Sequence, residues 1–294
     1  MERNWKTIII ILGLIWVFSV LISSSTKIEG STANIAIIRI NGNIGGSAYS
    51  QSVNANEVVS ELNKAEEMPN IEYVIIDINS PGGMPVDSER ISNKVASMKK
   101  PTIAVVEDEA TSGAYWIASG ADEIIASNVS IVGSIGVLGS YLSFDGFLKK
   151  YGIGYNRLTA GEYKDIGTPF RNMSPNERKI YEERLKIMDD YFLNSVAKRR
   201  NLTEEEKTNI SSALFYTGSQ ALKLHLIDKI GTLEDAVKLA GERINKTPSV
   251  YVFKSQKGFF EKLNELTSKS SFMVGYGIGR GLKVENFNQV PVFS

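Results

Sequence analysis

Cysteine is absent from all 294 residues, which removes disulfides, thiolate nucleophiles and a lipidated cysteine anchor. Histidine occurs once, at His225. A zinc centre built from His and Cys therefore lacks its ligands, and no metal or cofactor is expected. Excess charge of either sign is missing too: 33 Lys and Arg balance 33 Asp and Glu, so bulk charge does not recruit nucleic acid. No internal repeat or low-complexity tract occurs, and the length suits one large domain or two small ones.

What is present begins at the N-terminus. Arg3 and Lys6 precede an uncharged apolar run from Ile8 to Ile22. At ~1.5 Å per residue such a run spans roughly 23 Å, short of the ~30 Å hydrocarbon core unless Thr7 and Ser23 to Ser25 extend it. The run is long for the apolar region of a signal peptide, which favours a retained anchor over a cleaved leader. In both cases the positive charges stay on the cytoplasmic side and the body of the chain is exported. We divide the chain into an anchor or signal segment (1–25), a tether (26–33) and a folded domain (34–294).

Strand and helix alternate through the first half of that domain. Ile35 to Ile40, Ile71 to Ile78, Thr102 to Val106 and Glu123 to Ala126 read as strands. Asn54 to Glu67, capped by Asn54, and Val86 to Met98 read as helices. The alternation implies an α/β fold with a parallel sheet and right-handed crossovers, and such folds place sites at the carboxyl ends of strands. The loops 79–83 and 110–113 both fall on that edge. Further on, the spacing predicts a glycine-rich non-helical stretch over 132–139, a helix near Phe144 to Tyr151 and a strand near Tyr155 to Leu158. A long amphipathic helix follows from Pro175 to Arg200, with Ile180, Leu185, Met188, Phe192 and Val196 along one side. Leu214 to Thr217 reads as a short strand, Ser219 opens a helix, and Leu233 to Ile244 forms the next.

Ser112 sits where a strand gives way to a helix, in Glu109-Ala110-Thr111-Ser112-Gly113-Ala114-Tyr115. Its hydroxyl serves there either as a nucleophile or as an ordinary helix N-cap. A nucleophile needs a base. His225, at the apolar helix end Leu224-His225-Leu226, reads as a partly buried structural residue. The remaining candidate type is a lysine held neutral. A free lysine is deprotonated in only about one molecule in 2,500 at pH 7, but desolvation can lower its pKa by about 3–5 units. Most lysines here lie on charged helix faces. Lys164 stands apart, in a loop with Gly161, Tyr163, Ile166, Gly167, Pro169 and Phe170.

Four segments together resemble the signal peptide peptidase A family. They are Asn79-Ser80-Pro81-Gly82-Gly83, Thr111-Ser112-Gly113-Ala114-Tyr115, Gly133-Ser134-Ile135-Gly136-Val137, and Lys164-Asp165 following Ala160-Gly161. The similarity runs from about Ile35 to Val252. It implies a Clp/crotonase-like α/β fold with repeated ββα units, preceded by an N-terminal transmembrane helix. It also implies a nucleophile at Ser112, a general base at Lys164, a lysine-orienting hydroxyl at Ser134 (Ser130 and Thr111 being alternatives), and oxyanion donors at the backbone N–H groups of Gly83 and Gly113. Position 137, where the related Clp proteases would carry a histidine, is Val137, so a Ser-His-Asp triad is unavailable. Met84 and the 135–142 region are placed to line a specificity groove. The chain length matches the short, single-repeat form, which builds its site across the subunits of a homo-oligomeric ring.

The expected activity is that of a membrane-anchored serine endopeptidase, single-pass in the cell membrane with its catalytic domain outside, acting on signal peptides left after preprotein processing. Two rivals are set beside it. One is a stomatin-associated membrane serine protease of the same fold. The other, of a different class, is a crotonase-like acyl-CoA-binding protein or a non-enzymatic membrane scaffold.

Overall fold

The computed structural model describes residues 13, 32–45 and 52–253, all of which fall within the unit Met1–Phe253. The apolar run of 8–22 and the tail from 254 lie, Gly13 aside, outside the described residues. Among the described residues no helix is long and apolar enough to cross a membrane.

The sheet grows from the β-branched runs. Strand β1 (Ile35–Asn41) leads to β2 (Asn43–Ile44), which pairs in parallel with β3 (Ser52–Val53). After α1 (Ala55–Glu67) come β4 (Tyr73–Ser80), α2 (Pro85–Ala96), β5 (Thr102–Thr111), α3 (Gly113–Ala118), β6 (Glu123–Ala126) and β7 (Ile131–Gly133). The second half holds α4 (Asp145–Lys150), α5 (Pro175–Arg199), α6 (Glu204–Ile210), β8 (Phe215–Thr217), α7 (Gly218–Lys223), β9 (Lys229–Ile230), α8 (Leu233–Arg243) and β10 (Val250–Val252). The main sheet runs β10-β1-β4-β5-β6-β9 with every neighbour parallel. Strand β5 is long enough to serve two partners. Its first half pairs β6 through Ile103 to Val106, and its end pairs β7 through Glu109 to Thr111. Among the described strands only β8, against β7, runs antiparallel.

A central parallel strand is covered on both faces, and β4 shows the consequence. Val74, Ile76 and Ile78 face a core shared with α1, α2 and α3, and Tyr73 and Ile75 face a second core under α8. The helices start where local chemistry allows. Asn54 accepts the Asn56 N–H at 2.9 Å to begin α1, Pro85 opens α2, and Ser174 with Glu177 forms a capping box at the head of α5.

Three expectations need correction. No strand forms over 155–158; its backbone joins no ladder among the described residues, and Leu158 is 95% exposed. The apolar stripe of α5 is buried only near its C-terminal end, at Phe192, Leu193, Val196 and Ala197. Earlier in the helix Met188 is exposed, and Leu185 flanks the coil around Gly139 instead of entering the core. His225 is exposed, not partly buried, because it takes the left-handed position (φ +56°) just past α7 and turns its Nδ1 to Glu206, 2.6 Å away.

Candidate active site

Two loops at the carboxyl ends of β4 and β5 meet. In the first, the buried Ser80 Oγ accepts the Gly82 N–H at 3.1 Å and tightens the turn. Gly82 then adopts φ +97°; a Cβ there would come within 2.9 Å of the Ser112 Cβ and 2.8 Å of the Gly113 nitrogen. Gly83 is pinned beside Ile44, whose N–H reaches Gly82 O and whose carbonyl accepts from Met84 N, each at 2.8 Å. A Cβ on Gly83 would overlap that carbonyl, so the sequence can place only glycine there.

In the second loop the chain turns at Ser112 with φ +53° and ψ −127°, a conformation that is costly for any residue with a Cβ. The Ser112 N–H is held by Gly133 O at 2.8 Å, which ties the turn to the end of β7. Its hydroxyl makes no capping bond to α3, so the N-cap role weighed from sequence is not the one it fills. Directly after it, Gly113 lies against the fully buried Ser88 of α2; a Cβ there would overlap the Ser88 Oγ and stand 3.5 Å from the Gly83 nitrogen. Among the described residues neither Gly83 nor Gly113 donates its N–H to a hydrogen bond. Two free donors thus sit side by side next to a free hydroxyl.

Ser112, Gly83 and Gly113 open onto a groove of about 540 Å³. One wall is Met84, just before α2, with Val86 of α2, another is Val137 and Leu138, and α5 closes it with Ile187, Met188, Tyr191 and Phe192. Trp116 of α3 forms the floor, stacked on Phe192 with ring centroids 4.5 Å apart. The one acidic group in this lining is Glu89, which accepts the Tyr191 hydroxyl at 2.6 Å and pushes that phenol's pKa up. Apart from Glu89 and Ser112, the side chains of this lining are apolar or aromatic. Met84 and, of the 135–142 region, residues 136–138 line this groove. The contribution of Tyr191 and Phe192 went unread, although Phe192 already stood on the apolar stripe.

Ser134 follows the carbonyl that holds Ser112, with φ +50° and its own N–H on Leu214 O at 2.9 Å. Its rival Ser130 is committed elsewhere. The buried Ser130 Oγ accepts the Ser127 N–H at 3.0 Å and donates to the carbonyls of Val106 and Glu107.

Lys164 is not part of this assembly within one chain. It is exposed, does not line the groove, and sits in the turns between Ala160 and Gly167 that precede α5. The coil from Gly136 follows α5 backwards, past Asp189 and then Leu185, toward the N-terminal end of that helix. There Asp165 and Glu177 are joined through Arg171. Fifteen residues separate Glu177 from Phe192, about 22 Å of helix.

Residues 94–246 match peptidase family S49. A protein assigned as a protease in Methanocaldococcus jannaschii is 35% identical over 237 residues, 79% of this chain and 74% of that one. Another, assigned as signal peptide peptidase SppA in Enterococcus faecium, is 30% identical over 280 residues, 92% of this chain and 79% of its own length. Protease 4 of Haemophilus influenzae is 30% identical over 216 residues, covering 72% of this chain and 35% of the longer protein. The solved structure of a membrane-bound stomatin-specific protease aligns with a TM-score of 0.49 at 16% identity over 76% of this chain and 99% of that one. That last likeness is too slight to bear on function.

Proposed function

Since the chain belongs to peptidase family S49 and is a peptidase, we propose that it is a serine endopeptidase in which Ser112 is the nucleophile and Lys164 the general base. The observation that carries this reading is the strained, uncapped Ser112 beside the two undonated N–H groups of Gly83 and Gly113. Backbone held in a sparsely populated region persists only where surrounding structure over-determines it, and such positions cluster at active sites.

The chemistry follows from the placement. A neutral lysine amine takes the proton of the Ser112 hydroxyl as Oγ bonds to the peptide carbonyl carbon, and the carbonyl oxygen becomes an oxyanion. The N–H groups of Gly83 and Gly113 receive that charge without having to reorganise. Collapse breaks the C–N bond, and the lysine returns its proton to the departing amine. Water then attacks the ester with the same amine as base, releasing the acid and restoring Ser112. Ser134, one residue beyond the carbonyl that fixes Ser112, is the hydroxyl we assign to orienting the amine.

Lys164 reaches Ser112 from a neighbouring copy in this reading. Its exposure within one chain, and the length of α5 between its loop and the groove, support a homo-oligomeric ring in which each groove borrows its base. Burial at that contact would also strip the amine of water, as a neutral lysine requires. We assign the anchor to residues 1–25, which leaves the catalytic domain on the extracytoplasmic side, in the Clp/crotonase-like fold with repeated ββα units. For substrates we propose signal peptides left in the membrane. The apolar groove suits their hydrophobic segments, and the name of the E. faecium relative points the same way. Family membership leaves nothing in favour of the acyl-CoA-binding alternative.

Labelling of the full-length membrane protein with a serine-directed phosphonylating probe, followed by mapping, tests the reading. Capture at Ser112 that falls to a slow residual rate in Lys164→Ala is expected. Capture at another residue, or full peptidase activity in Lys164→Ala, overturns it.

A further inference from the structure

Lys164 lies on an exposed arm. Around it Ile153, Leu158, Tyr163 and Phe170 are all open to solvent, so little apolar packing holds the loop in shape. Its immediate neighbour is held by something else. Asp165, only 13% exposed, accepts Arg157 Nε at 2.8 Å and Arg171 Nε and Nη2 at 3.0 and 2.9 Å.

Arg171 does more than pair with Asp165. Its Nη1 and Nη2 donate to Glu177 at 2.7 and 2.5 Å, and Nη1 also reaches Asn172 O at 3.2 Å. A guanidinium has five N–H donors in a rigid plane, and here all five have acceptors. An exposed ion pair rarely achieves that, because holding two long side chains in one geometry costs entropy. Glu177 is itself fixed, as the third helical residue of the Ser174 capping box, with its Oε2 taking the Ser174 N–H at 2.9 Å. Arg171 therefore bolts the residue after Lys164 to the first turn of α5. The other end of α5 packs on Trp116, four residues beyond Ser112.

We propose that Arg171 is a positioning residue for the reaction: by gripping Asp165 and Glu177 at once it fixes the backbone from which Lys164 is presented. The proposal rests on the reading of Lys164 as the base. Lysine cannot replace this arginine, since an ammonium is a point charge and cannot grip two carboxylates in one plane. Loss of the grip leaves the groove and Ser112 untouched but lets the amine wander. A displacement of 1 Å in a reacting group can lower the rate on the order of 100-fold.

The test is a double-mutant cycle on the full-length protein, read by turnover of a fluorogenic apolar peptide and by the rate of Ser112 phosphonylation. Arg171→Met is expected to lower kcat by about 10- to 100-fold with KM changed less than about 3-fold, and Arg171→Lys to recover little of it. In a Lys164→Ala background Arg171→Met should then change the phosphonylation rate no further, because its effect passes through the amine. If Arg171→Met proves unfolded by thermal melting, Asp165→Asn, which keeps the side chain's volume, takes its place in the same cycle. Wild-type kcat in the folded variant overturns the proposal, and so does an equal loss with and without Lys164, which would mark a general effect on the fold. Activity retained in Lys164→Ala alone would instead sink the assignment of the base.

Discussion

Adding one carbon at Gly113 tests the cradle most directly. A Cβ there has nowhere to go: it would overlap the Oγ of Ser88 and stand 2.8 Å from its Cβ, and Ser88 is fully buried in α2. Either α2 or α3 must shift, and overpacking of this kind costs about 1–3 kcal/mol of stability. The shift falls on the N–H that we assign to the oxyanion. Loss of one such donor lowers kcat by about 10²- to 10³-fold, or about 2.7–4 kcal/mol. Gly113→Ala should therefore fold, melt lower, and turn over a fluorogenic apolar peptide at least about 100-fold more slowly with KM little changed. The cause is steric, so room made elsewhere should restore function. Ser88→Gly removes the obstructing atoms at the helix-glycine cost of about 1 kcal/mol. The double variant should regain about tenfold or more over Gly113→Ala, a coupling typical of residues in contact. Wild-type kcat in Gly113→Ala, or a double variant no faster than the single one, refutes the reasoning.

Ser112 offers a second measurement. Its φ of +53° with ψ −127° suits a residue without a Cβ, so Ser112→Gly should be more stable than Ser112→Ala by about 1 kcal/mol or more, with both inactive. Equal or reversed melting temperatures would show that the turn holds no strain. A third concerns Glu61 on α1, whose carboxyl is pushed up to about 7 by burial, with Glu57 adding to the shift and Lys64 opposing it. The folded state then binds a proton that the unfolded state releases near pH 4. Stability should fall as pH rises from about 4.5 to 7, and Glu61→Gln should flatten that slope in urea titrations. An unchanged slope in the variant refutes the assignment.

Much of the molecule was legible along the chain. Parallel strands buried on both faces must be runs of β-branched residues, which is why β1, β4, β5 and β6 stand out in the sequence. Helix starts were legible where a side chain closes its own backbone, as Asn54 does for α1. The loop glycines pointed to a site because only glycine tolerates the close approaches at 82, 83 and 113. Two of the failures share a cause. Over 155–158 and along the first two-thirds of α5 the apolar pattern was real but had no core among the described residues to bury it, so periodicity misled.

By itself, then, the order of residues determined that two glycine loops would follow two buried strands, and that a serine would stand at the start of a helix without cysteine or a suitable histidine to help it. Only the tertiary structure decided that this serine is bent out of its capping role, that Gly83 and Gly113, whose N–H groups find no acceptor among the described residues, lie beside each other, and that Tyr191 and Phe192 complete the groove from about 80 residues away in the chain. It also decided that Lys164 belongs to the far end of α5, held through Asp165 by an arginine the sequence did not single out. The reason is physical: spacing along the chain encodes which face of an element is apolar, whereas the approach of one loop to another depends on how whole elements pack.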